Sequence, residues 1–486
     1  MTLSDFLSIL PLAVLTAWSC ALLLFDLFIP RGHKGWTALL AAVGLVVVFI
    51  LTLVISIWGD LASRAPGSLF HGMIVLDGFS FFLNVLFLIS GLAGVALAYD
   101  YLKRMDLDRG EYYSLLLFTI TGMMLMAMAG DLIVVFLALE LLSIPLYVLS
   151  GFARPRPESE EAALKYFLLG AFSTGFIVYG IALVFGATGT TSIAGVFSTL
   201  LAGALNKVLL TIGAGLILIG LGFKVAVVPF HMWTPDVYQG APSAVVAFMS
   251  VGAKAGGFAA LFRIFITAFP VLSSEMVPII WGIAALTMLT GNLLAIAQTN
   301  IKRLLAYSSI AHAGYILMAL VPFGQSNVAG DSAASALFYL LAYAFTNFAA
   351  WSVVIAMEKA GGQGLMLDDY AGLGRKSPGI AAVMTVAMLS FTGIPPTLGF
   401  MGKFYLFRTA LEGRYIGLAI IGVLTSLLSA YYYLRVVVIM YMREGEPQVR
   451  SEAWLNLTAA VAALGTVGMI IFSEPLFNLV SRAILR

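Results

Sequence analysis

The sequence predicts an all-α, polytopic membrane protein with about fourteen transmembrane helices, including two inverted five-helix repeats. Of its 486 residues, 61% are hydrophobic and only 10% are charged, which excludes an ordinary soluble domain. Apolar stretches long enough to cross a bilayer follow one another along the whole chain. The two longest, at 208–238 and 379–411, each contain proline and lysine, which indicates broken helices at membrane depth.

The predicted spans are apolar windows separated by short polar or charged loops. In chain order they are residues 6–28, 36–57, 78–102, 113–129, 132–152, 162–186, 208–238, 242–265, 276–297, 301–322, 332–357, 379–411, 416–442 and 454–472. Only Gly130 and Asp131 separate the fourth window from the fifth.

The seventh predicted span is too long for a plain helix. Residues 208–240 would form a helix of roughly 50 Å, whereas the hydrocarbon core of a bilayer is about 30 Å thick. Pro229 is the natural place for a break, and Lys224 precedes it. The twelfth span repeats this pattern, because Pro395 and Pro396 interrupt it before Lys403.

The two broken spans lie five spans apart and therefore run in opposite directions, which is typical of an inverted repeat. The alternative is that both are ordinary proline kinks; the lysine beside each break favours the repeat. We therefore predict N-terminal helices at 1–110, a first repeat at 111–266, an inverted second repeat at 267–443 and a final helix at 444–486.

Basic residues predict the orientation of the chain. Loops after the first, third, fifth, ninth, eleventh and thirteenth predicted spans are rich in lysine and arginine, as at Lys103, Arg104, Arg154 and Arg156. The opposite loops carry fewer. The positive-inside rule places the rich loops in the cytoplasm and both termini on the periplasmic side. The N-terminal residues lack a basic region and a cleavage motif, so we expect a first span there and not a signal peptide.

Glu140 is predicted to lie roughly 12 Å inside the fifth span, near the bilayer midplane. A charge there costs at least about 2.5–3.5 kcal/mol, whereas a lysine within 4 Å would return about 4 kcal/mol. We expect Lys224 to be that partner. The alternative is a neutral Glu140 hydrogen-bonded to the backbone or to Ser143.

Lys224 can change its protonation state in such a pair. Burial favours the neutral amine, and a nearby carboxylate favours the ammonium. A Glu140–Lys224 pair of variable separation would therefore act as a proton switch. A purely structural ion pair is the alternative.

Further ionisable residues extend this set. Lys254 lies midway along the eighth predicted span among small residues, which permit close packing and leave room for water. Lys403 follows the second break, from which it reaches the outer interface more easily than Lys254 does. With Glu140 and Lys224, these residues predict a route for protons or small cations.

Four further ionisable residues are weaker candidates for the proton route, because a purely structural role explains each of them about as well. Lys165 lies about one turn inside the sixth span and could snorkel to the interface, and Arg435 has the same ambiguity. His231 and His312 suit a proton relay, although a merely hydrogen-bonded role fits each of them as well.

The sequence predicts neither a cofactor nor a metal in this chain. Cys20 is the single cysteine, and no nucleotide-binding glycine motif is present. His231 and His312 lie on different spans without carboxylates at metal-ligand spacing.

Five segments carry a family resemblance: LELLSIPLYVLSGF, EAALKYFLLGAFS, GFKVAVVPFHMWTPDVYQGAP, QTNIKRLLAYSSIAHAGY and SFTGIPPTLGFMGKFY. They closely resemble the N-type, antiporter-like membrane subunits of bacterial NADH:quinone oxidoreductase, respiratory complex I. The resemblance runs from about residue 111 to residue 442. In the related M-type subunits, the position of Lys403 is usually a glutamate, so lysine favours the N type.

The resemblance implies roles for the buried charges. Glu140 matches the carboxylate that tunes the lysine of the seventh helix, here Lys224; Lys254 matches the connecting lysine, and Lys403 the ionisable residue before the exit. A proton would enter from the cytoplasm, occupy Lys224, and pass by His231 or His312 and Lys254 to Lys403. The Glu140–Lys224 separation would gate this passage.

The resemblance also implies a non-redox subunit of a translocase in the bacterial inner membrane. Quinone reduction elsewhere would drive proton transfer, with NADH, FMN, iron–sulfur clusters and quinone held by partner subunits. Membrane subunits of the M, K, J and L types are the expected neighbours. Because the chain ends soon after Phe472, we expect no long lateral helix of the L type.

Two alternatives stay open at this point. The chain could serve a multi-subunit cation/proton antiporter with the same fold, or act as a non-conducting structural spacer of the membrane arm.

Overall fold

The computed structural model describes residues 3–58, 67–203 and 206–482, which are almost entirely helical. The α-helices are α1 (Leu3–Asp26), α2 (Gly35–Trp58), α3 (Gly78–Arg104), α4 (Glu111–Ala127), α5 (Leu132–Ser150), α6 (Pro157–Thr188), α7 (Ile193–Leu201), α8 (Lys207–Val225), α9 (Trp233–Gly240), α10 (Ser243–Thr267), α11 (Ser273–Ile296), α12 (Ile301–Met318), α13 (Ala329–Met357), α14 (Leu373–Lys376), α15 (Pro378–Thr392), α16 (Leu398–Glu412), α17 (Ile416–Met442), α18 (Ala453–Gly468) and α19 (Ser473–Arg482). Strands β1 (Gly67–Leu69) and β2 (Ile74–Leu76) form an antiparallel hairpin in which Ser68 pairs with Val75.

The helices confirm the predicted class of membrane protein. Eleven helical stretches in the described part of the chain are long and apolar enough to cross a membrane, and α4 and α15 are shorter apolar helices. The chain is therefore a multi-pass, all-α membrane protein. The count of fourteen spans stays a prediction.

Both predicted helix breaks are present. Residues 226–232, which include Pro229, separate α8 from α9, and residues 393–397, which include Pro395 and Pro396, separate α15 from α16. Each proline lacks the N–H that a continuing helix needs, so the backbone leaves the helix at these points.

The structure adds elements that the apolar windows did not predict. Helix α7 lies in the connection after α6, and its nine residues are too short to span a bilayer. The predicted last span, 454–472, is α18 followed by a 3-10 turn at Met469–Phe472, and the separate helix α19 comes after it. Helix α6 also begins earlier than predicted, because Pro157 opens its first turn ahead of an acidic run.

Helices α10 and α13 form the centre of the fold. The most apolar window of α10 is completely buried, and 94% of that of α13 is buried. Helix α10 packs against α3, α4, α5, α8 and α13, whereas α13 also packs against α15, α16 and α18. Charged residues on or beside these two helices are therefore shielded from lipid.

Candidate functional site

The first broken helix ends in a well-satisfied cap beside Lys224. Ala226 adopts a left-handed conformation with φ of 63°, and its N–H donates to the carbonyls of Gly222 and Phe223. The Trp233 indole from α9 also donates to the Phe223 carbonyl, at 2.9 Å. The two half-helices are thereby held together across the gap, with Lys224 in the last turn of α8.

Lys224 is almost fully buried, with 5% of its surface exposed. Its ammonium donates to the Ser143 hydroxyl at 2.8 Å and to the Tyr166 hydroxyl at 3.1 Å. The Tyr166 ring stacks on Trp233 with centroids 4.4 Å apart and an interplanar angle of 9°. Side chains of α5 and α6 therefore bind the Lys224 ammonium, and Trp233 of α9 packs against one of them.

The predicted direct contact between Glu140 and Lys224 is wrong in this structure. Among the ion pairs of the described residues, none involves either side chain. Thr174 on α6 donates to the Glu140 carboxylate at 2.7 Å, and Glu140 is only half-buried. The helical rotation of α5 turns Ser143 towards Lys224 and Glu140 towards α6.

A glycine contact joins Lys224 to the central helix. A methyl group at Gly257 on α10 would lie 3.3 Å from Cγ of Lys224 and 2.7 Å from Cγ1 of Val225. Helices α8 and α10 can approach this closely because Gly257 has no side chain. Lys254 lies one turn away from Gly257, so the two lysines occupy adjacent turns of one interface.

Lys254 is bound by α12. It is 3% exposed, and its ammonium donates to both the main-chain carbonyl and the hydroxyl of Ser309, the latter at 2.5 Å. The Tyr343 hydroxyl from α13 donates to the same Ser309 hydroxyl at 3.0 Å. Ser309 is therefore a shared hydrogen-bond node for α10, α12 and α13.

His312 follows Ser309 by one turn on α12 and is buried. Its Nδ1 lies 2.5 Å from the Tyr339 hydroxyl, and its Nε2 lies 3.0 Å from the Tyr433 hydroxyl. The Phe391 ring packs on the imidazole with centroids 5.1 Å apart. Lys224, Lys254 and His312, with Lys403 beyond them, are called the lysine row below. The contacts of His312 extend this row from α12 and α13 to α17 and the second broken helix.

Lys403 closes the row at the second break. Its ammonium donates to the carbonyls of Phe391 at 2.7 Å and Thr392 at 3.0 Å, and to the Ser426 hydroxyl at 2.8 Å. A cation here complements the negative end of α15. The residue is 3% exposed and does not snorkel to an interface, which removes that alternative.

The structure gives the secondary candidates different surroundings. Lys165 forms an ion pair with Asp236 at 2.7 Å and another with Glu161, on a partly exposed surface. Arg435 donates to the Ile296 carbonyl at 3.0 Å and to that of Gln298, so it caps α11.

His231 is buried in the first break, and its Nδ1 has no hydrogen-bond partner among the described residues. No described hydrogen bond joins the His231 ring to the row of lysines.

Sequence reasoning missed several polar partners. The sequence predicts Ser143 as a partner of Glu140 only, and it gives no specific role to Tyr166 or Ser309. Their signal was weak, because hydroxyl-bearing residues are common in membrane helices and only their positions beside lysines make them notable.

A second polar feature, also missed, lies at the ends of α9 and α12. A cavity of about 180 Å³ there is lined by Arg156, Lys302 and Glu358, among others. Glu358 is 2% exposed, and its Oε2 has no hydrogen-bond partner within the described structure. Lys302 donates to the Ala241 carbonyl at 2.7 Å and lies two turns before Ser309.

No group of three or more histidine, cysteine, aspartate or glutamate side chains suited to a metal occurs in the described ranges. The hydrogen-bonded groups between the two breaks are amines, hydroxyls and the His312 imidazole, with the Glu140 carboxylate on the same helix as Ser143, and all of them can exchange protons.

Two proline-broken helices that each hold a buried lysine, joined by further buried amines, define an antiporter-like membrane protein. The chain belongs to the family described as "NADH:quinone oxidoreductase/Mrp antiporter, TM", whose model matches residues 129–429.

Similar proteins cover almost the whole chain. The chain is 46% identical to the NADH-quinone oxidoreductase subunit N of Chloroflexus aggregans, over 98% of this chain and 96% of the relative. It is 48% identical to the same-named subunit of Trichlorobacter lovleyi, over 93% of this chain and 90% of the relative.

Solved structures agree with this placement. A chain of respiratory complex I from Thermus thermophilus is 34% identical and superposes with a TM-score of 0.82, covering 97% of this chain and all of that one. A chain of the Mrp complex from Dietzia sp. has a TM-score of 0.84 at 23% identity, covering 99% of this chain and 97% of that one, which shows the fold alone.

Proposed function

We propose that this chain is an N-type, proton-translocating membrane subunit of an NADH:quinone oxidoreductase. The observation that carries the proposal is the buried row from Lys224 through Lys254 and His312 to Lys403, bounded by two broken helices. The names of the full-length relatives support the assignment to this complex.

The proposed route passes from hydroxyl to amine along that row. A proton on Lys224 is exchanged with the Ser143 and Tyr166 hydroxyls, and Lys254 receives it in the adjacent turn of the α8–α10 interface. Ser309 links Lys254 to the turn of α12 that holds His312. Lys403 on α16, whose ammonium binds the last carbonyls of α15, is the last amine before exit.

Glu140 is proposed to set the charge of Lys224. The two groups are separated in this structure, since Ser143 takes the contact with the lysine. A shift of α5 or α8 could bring Glu140, in place of Ser143, into contact with Lys224, and this contact would favour the ammonium form of the lysine. The reverse shift would favour release of the proton from Lys224. Glu140 is half-buried, and a bare carboxylate facing lipid is costly, so a neighbouring subunit is expected to cover it.

The cytoplasmic approach is proposed to use the cavity beside Glu358. A buried carboxylate oxygen without a partner, which lines this cavity together with Lys302, can accept a proton that enters through the cavity. Lys302 stands about 10 Å along α12 from Ser309. This second approach would join, at Lys254, the route that begins at Lys224.

The domain division 1–110, 111–266, 267–443 and 444–486 is part of this proposal. Support comes from the similarity of the two breaks: each first half-helix ends in a left-handed residue, Ala226 or Gly393, and a proline-containing loop follows. Fourteen spans with both termini in the periplasm would then suit a bacterial inner membrane.

We also propose that M-, K-, J- and L-type membrane subunits are the neighbours. This chain is proposed to be a non-redox translocase subunit, with NADH, FMN, iron–sulfur clusters and quinone bound by other subunits. The Mrp antiporter alternative has less support, because that likeness is one of fold alone.

Affinity purification tests the assignment to the complex. The tagged chain, extracted mildly from its native membranes, should enrich NADH:quinone reductase activity in proportion to the chain. Purification with a multi-subunit assembly that lacks this activity would contradict the assignment.

Measurement of time-resolved proton release distinguishes a proton-translocating subunit from a non-conducting structural spacer. Glu140→Gln complexes should release protons more slowly per quinone reduced, whereas Glu160→Gln, an exposed change at the start of α6, should not. Unchanged proton release in Glu140→Gln would favour a structural spacer.

A further inference from the structure

A deep apolar groove opens between α2, α3 and α18, and Lys224, Lys254 and Lys403 are not among its lining residues. Its volume is about 740 Å³. Helix α3 and two phenylalanines of α13, Phe345 and Phe348, form its floor, and α2 and α18 form its walls. The proposed proton route uses none of these residues.

The groove has the length of one bilayer leaflet. Its floor on α3 runs from Ile89 to Lys103, which is about 21 Å along a helix. A bilayer with its headgroups is about 40–45 Å thick, so one leaflet takes about half of that. Trp36 and Trp454, which are 59% and 50% exposed, lie on opposite walls towards the Lys103 end, where aromatic residues mark the membrane interface.

The polar end of the groove carries an available cation. Lys34 is paired with Asp26 at 2.7 Å, and Arg104 is paired with Glu452 at 2.5 Å. Within the described residues, no carboxylate forms an ion pair with Lys103, which packs over the Tyr99 ring at 4.0 Å. The Asp108 carboxylate is near enough to feel the charge of Lys103 but forms no ion pair with it, so the ammonium can bind an anion at the groove mouth.

Glycine keeps this mouth open. A methyl group at Gly35, the first residue of α2, would lie 3.4 Å from Nζ of Lys103 and 3.0 Å from the Tyr99 hydroxyl. Nothing lies within 4 Å of the corresponding position at Gly32. His33, between these glycines, is exposed on the same rim.

We propose that this groove binds one anionic phospholipid of the cytoplasmic leaflet. Its acyl chains lie along α3 between α2 and α18, and its phosphate group lies against Lys103 and His33. An apolar channel of leaflet length fits acyl chains, and an unpaired cation between interfacial tryptophans fits an anionic headgroup. The lipid would fill the gap between the N-terminal helices and α18.

Photolabelling of the intact complex tests this proposal. The purified complex is placed in nanodiscs containing phosphatidylglycerol with a diazirine on one acyl chain, or phosphatidylcholine with the same chain. After illumination, peptides from α2, α3 and α18 should carry the phosphatidylglycerol label about fivefold more than the phosphatidylcholine label.

Two variants distinguish the contribution of headgroup binding to the labelling from that of the apolar groove. Lys103→Gln should reduce phosphatidylglycerol labelling about fivefold and leave phosphatidylcholine labelling unchanged. Ala96→Phe places a ring on the groove floor and should reduce labelling by both lipids. Lys359→Gln, which removes a lysine elsewhere on the predicted cytoplasmic side, is the matched control and should change neither. NADH:quinone reductase activity of each variant reports assembly.

Three outcomes would overturn the proposal. They are groove peptides without label from either lipid, equal labelling by the two lipids in the unmodified complex, and a helix of a neighbouring subunit seated in the groove of the assembled complex. None of them bears on proton transfer along the lysine row, so the lipid proposal and the proposed function fail independently.

Discussion

The Lys224 ammonium lies 2.8 Å from the Ser143 hydroxyl, and Ser143 stands three residues after Glu140 on α5. The lysine is thus held next to the carboxylate without touching it. A small rotation or slide of α5 would exchange the two acceptors, because residues three apart are neighbours on a helix surface.

Replacing Ser143 should weaken the hold on the protonated lysine. A hydrogen bond to a charged group contributes about 1.5–3 kcal/mol, so Ser143→Ala should slow quinone-linked proton pumping severalfold. The matched control is Ser150→Ala, a buried serine of the same helix whose hydroxyl donates to the Leu146 carbonyl. Pumping into inverted membrane vesicles, divided by quinone reduction, measures the effect; equal values for the two variants would remove Ser143 from the route.

Gly257 should be essential for the approach of α8 to α10. In Gly257→Ala, the added methyl group would meet Val225 at 2.7 Å and must push α8 away from Lys254. The neighbouring change Gly256→Ala meets its nearest atom at 3.5 Å, which is ordinary contact. We therefore expect reduced pumping and a lower thermal midpoint for Gly257→Ala alone; similar behaviour of both variants would contradict the close approach.

Arg263 should be a structural anchor that is separate from the proton route. It makes a two-pronged ion pair with Asp77 at 2.9 Å and also binds the Ala127 carbonyl, tying α10 to α3 and α4. Arg263→Ala leaves the mostly buried Asp77 carboxylate without its cation and should cost about 3–5 kcal/mol.

The yield and thermal midpoint of the purified complex report this loss. Arg408→Ala removes a half-exposed pair with Glu412 and should cost about 0.5 kcal/mol or less. An equal fall in thermal midpoint for Arg263→Ala and Arg408→Ala would contradict this prediction. It would show that the Arg263–Asp77 pair stabilises the protein no more than a surface ion pair does.

Much of the architecture follows from the sequence because bilayer thickness and proline chemistry constrain it. The breaks near Pro229 and Pro395 were predictable, since each apolar stretch was too long and proline cannot continue a helix. The lysines beside them were conspicuous for the same reason: amines at membrane depth are rare and costly.

The identity of their partners was not predictable from spacing. Whether Glu140 or Ser143 faces Lys224 depends on the rotation of α5 against α8, which local sequence does not determine. The Ser309 node likewise requires α10, α12 and α13 to meet in three dimensions. Helix α7 escaped prediction because a nine-residue helix gives no spanning signal.

The ratio of protons translocated to electrons transferred in complexes carrying Lys224→Ala tests the central claim most directly. Lys207→Ala, an exposed lysine at the start of the same helix, is the control. The proposed route predicts a clearly lower ratio for Lys224→Ala, with quinone reduction retained in the uncoupled complex, and an unchanged ratio for Lys207→Ala. An unchanged ratio in a fully assembled Lys224→Ala complex would contradict proton transfer through this lysine.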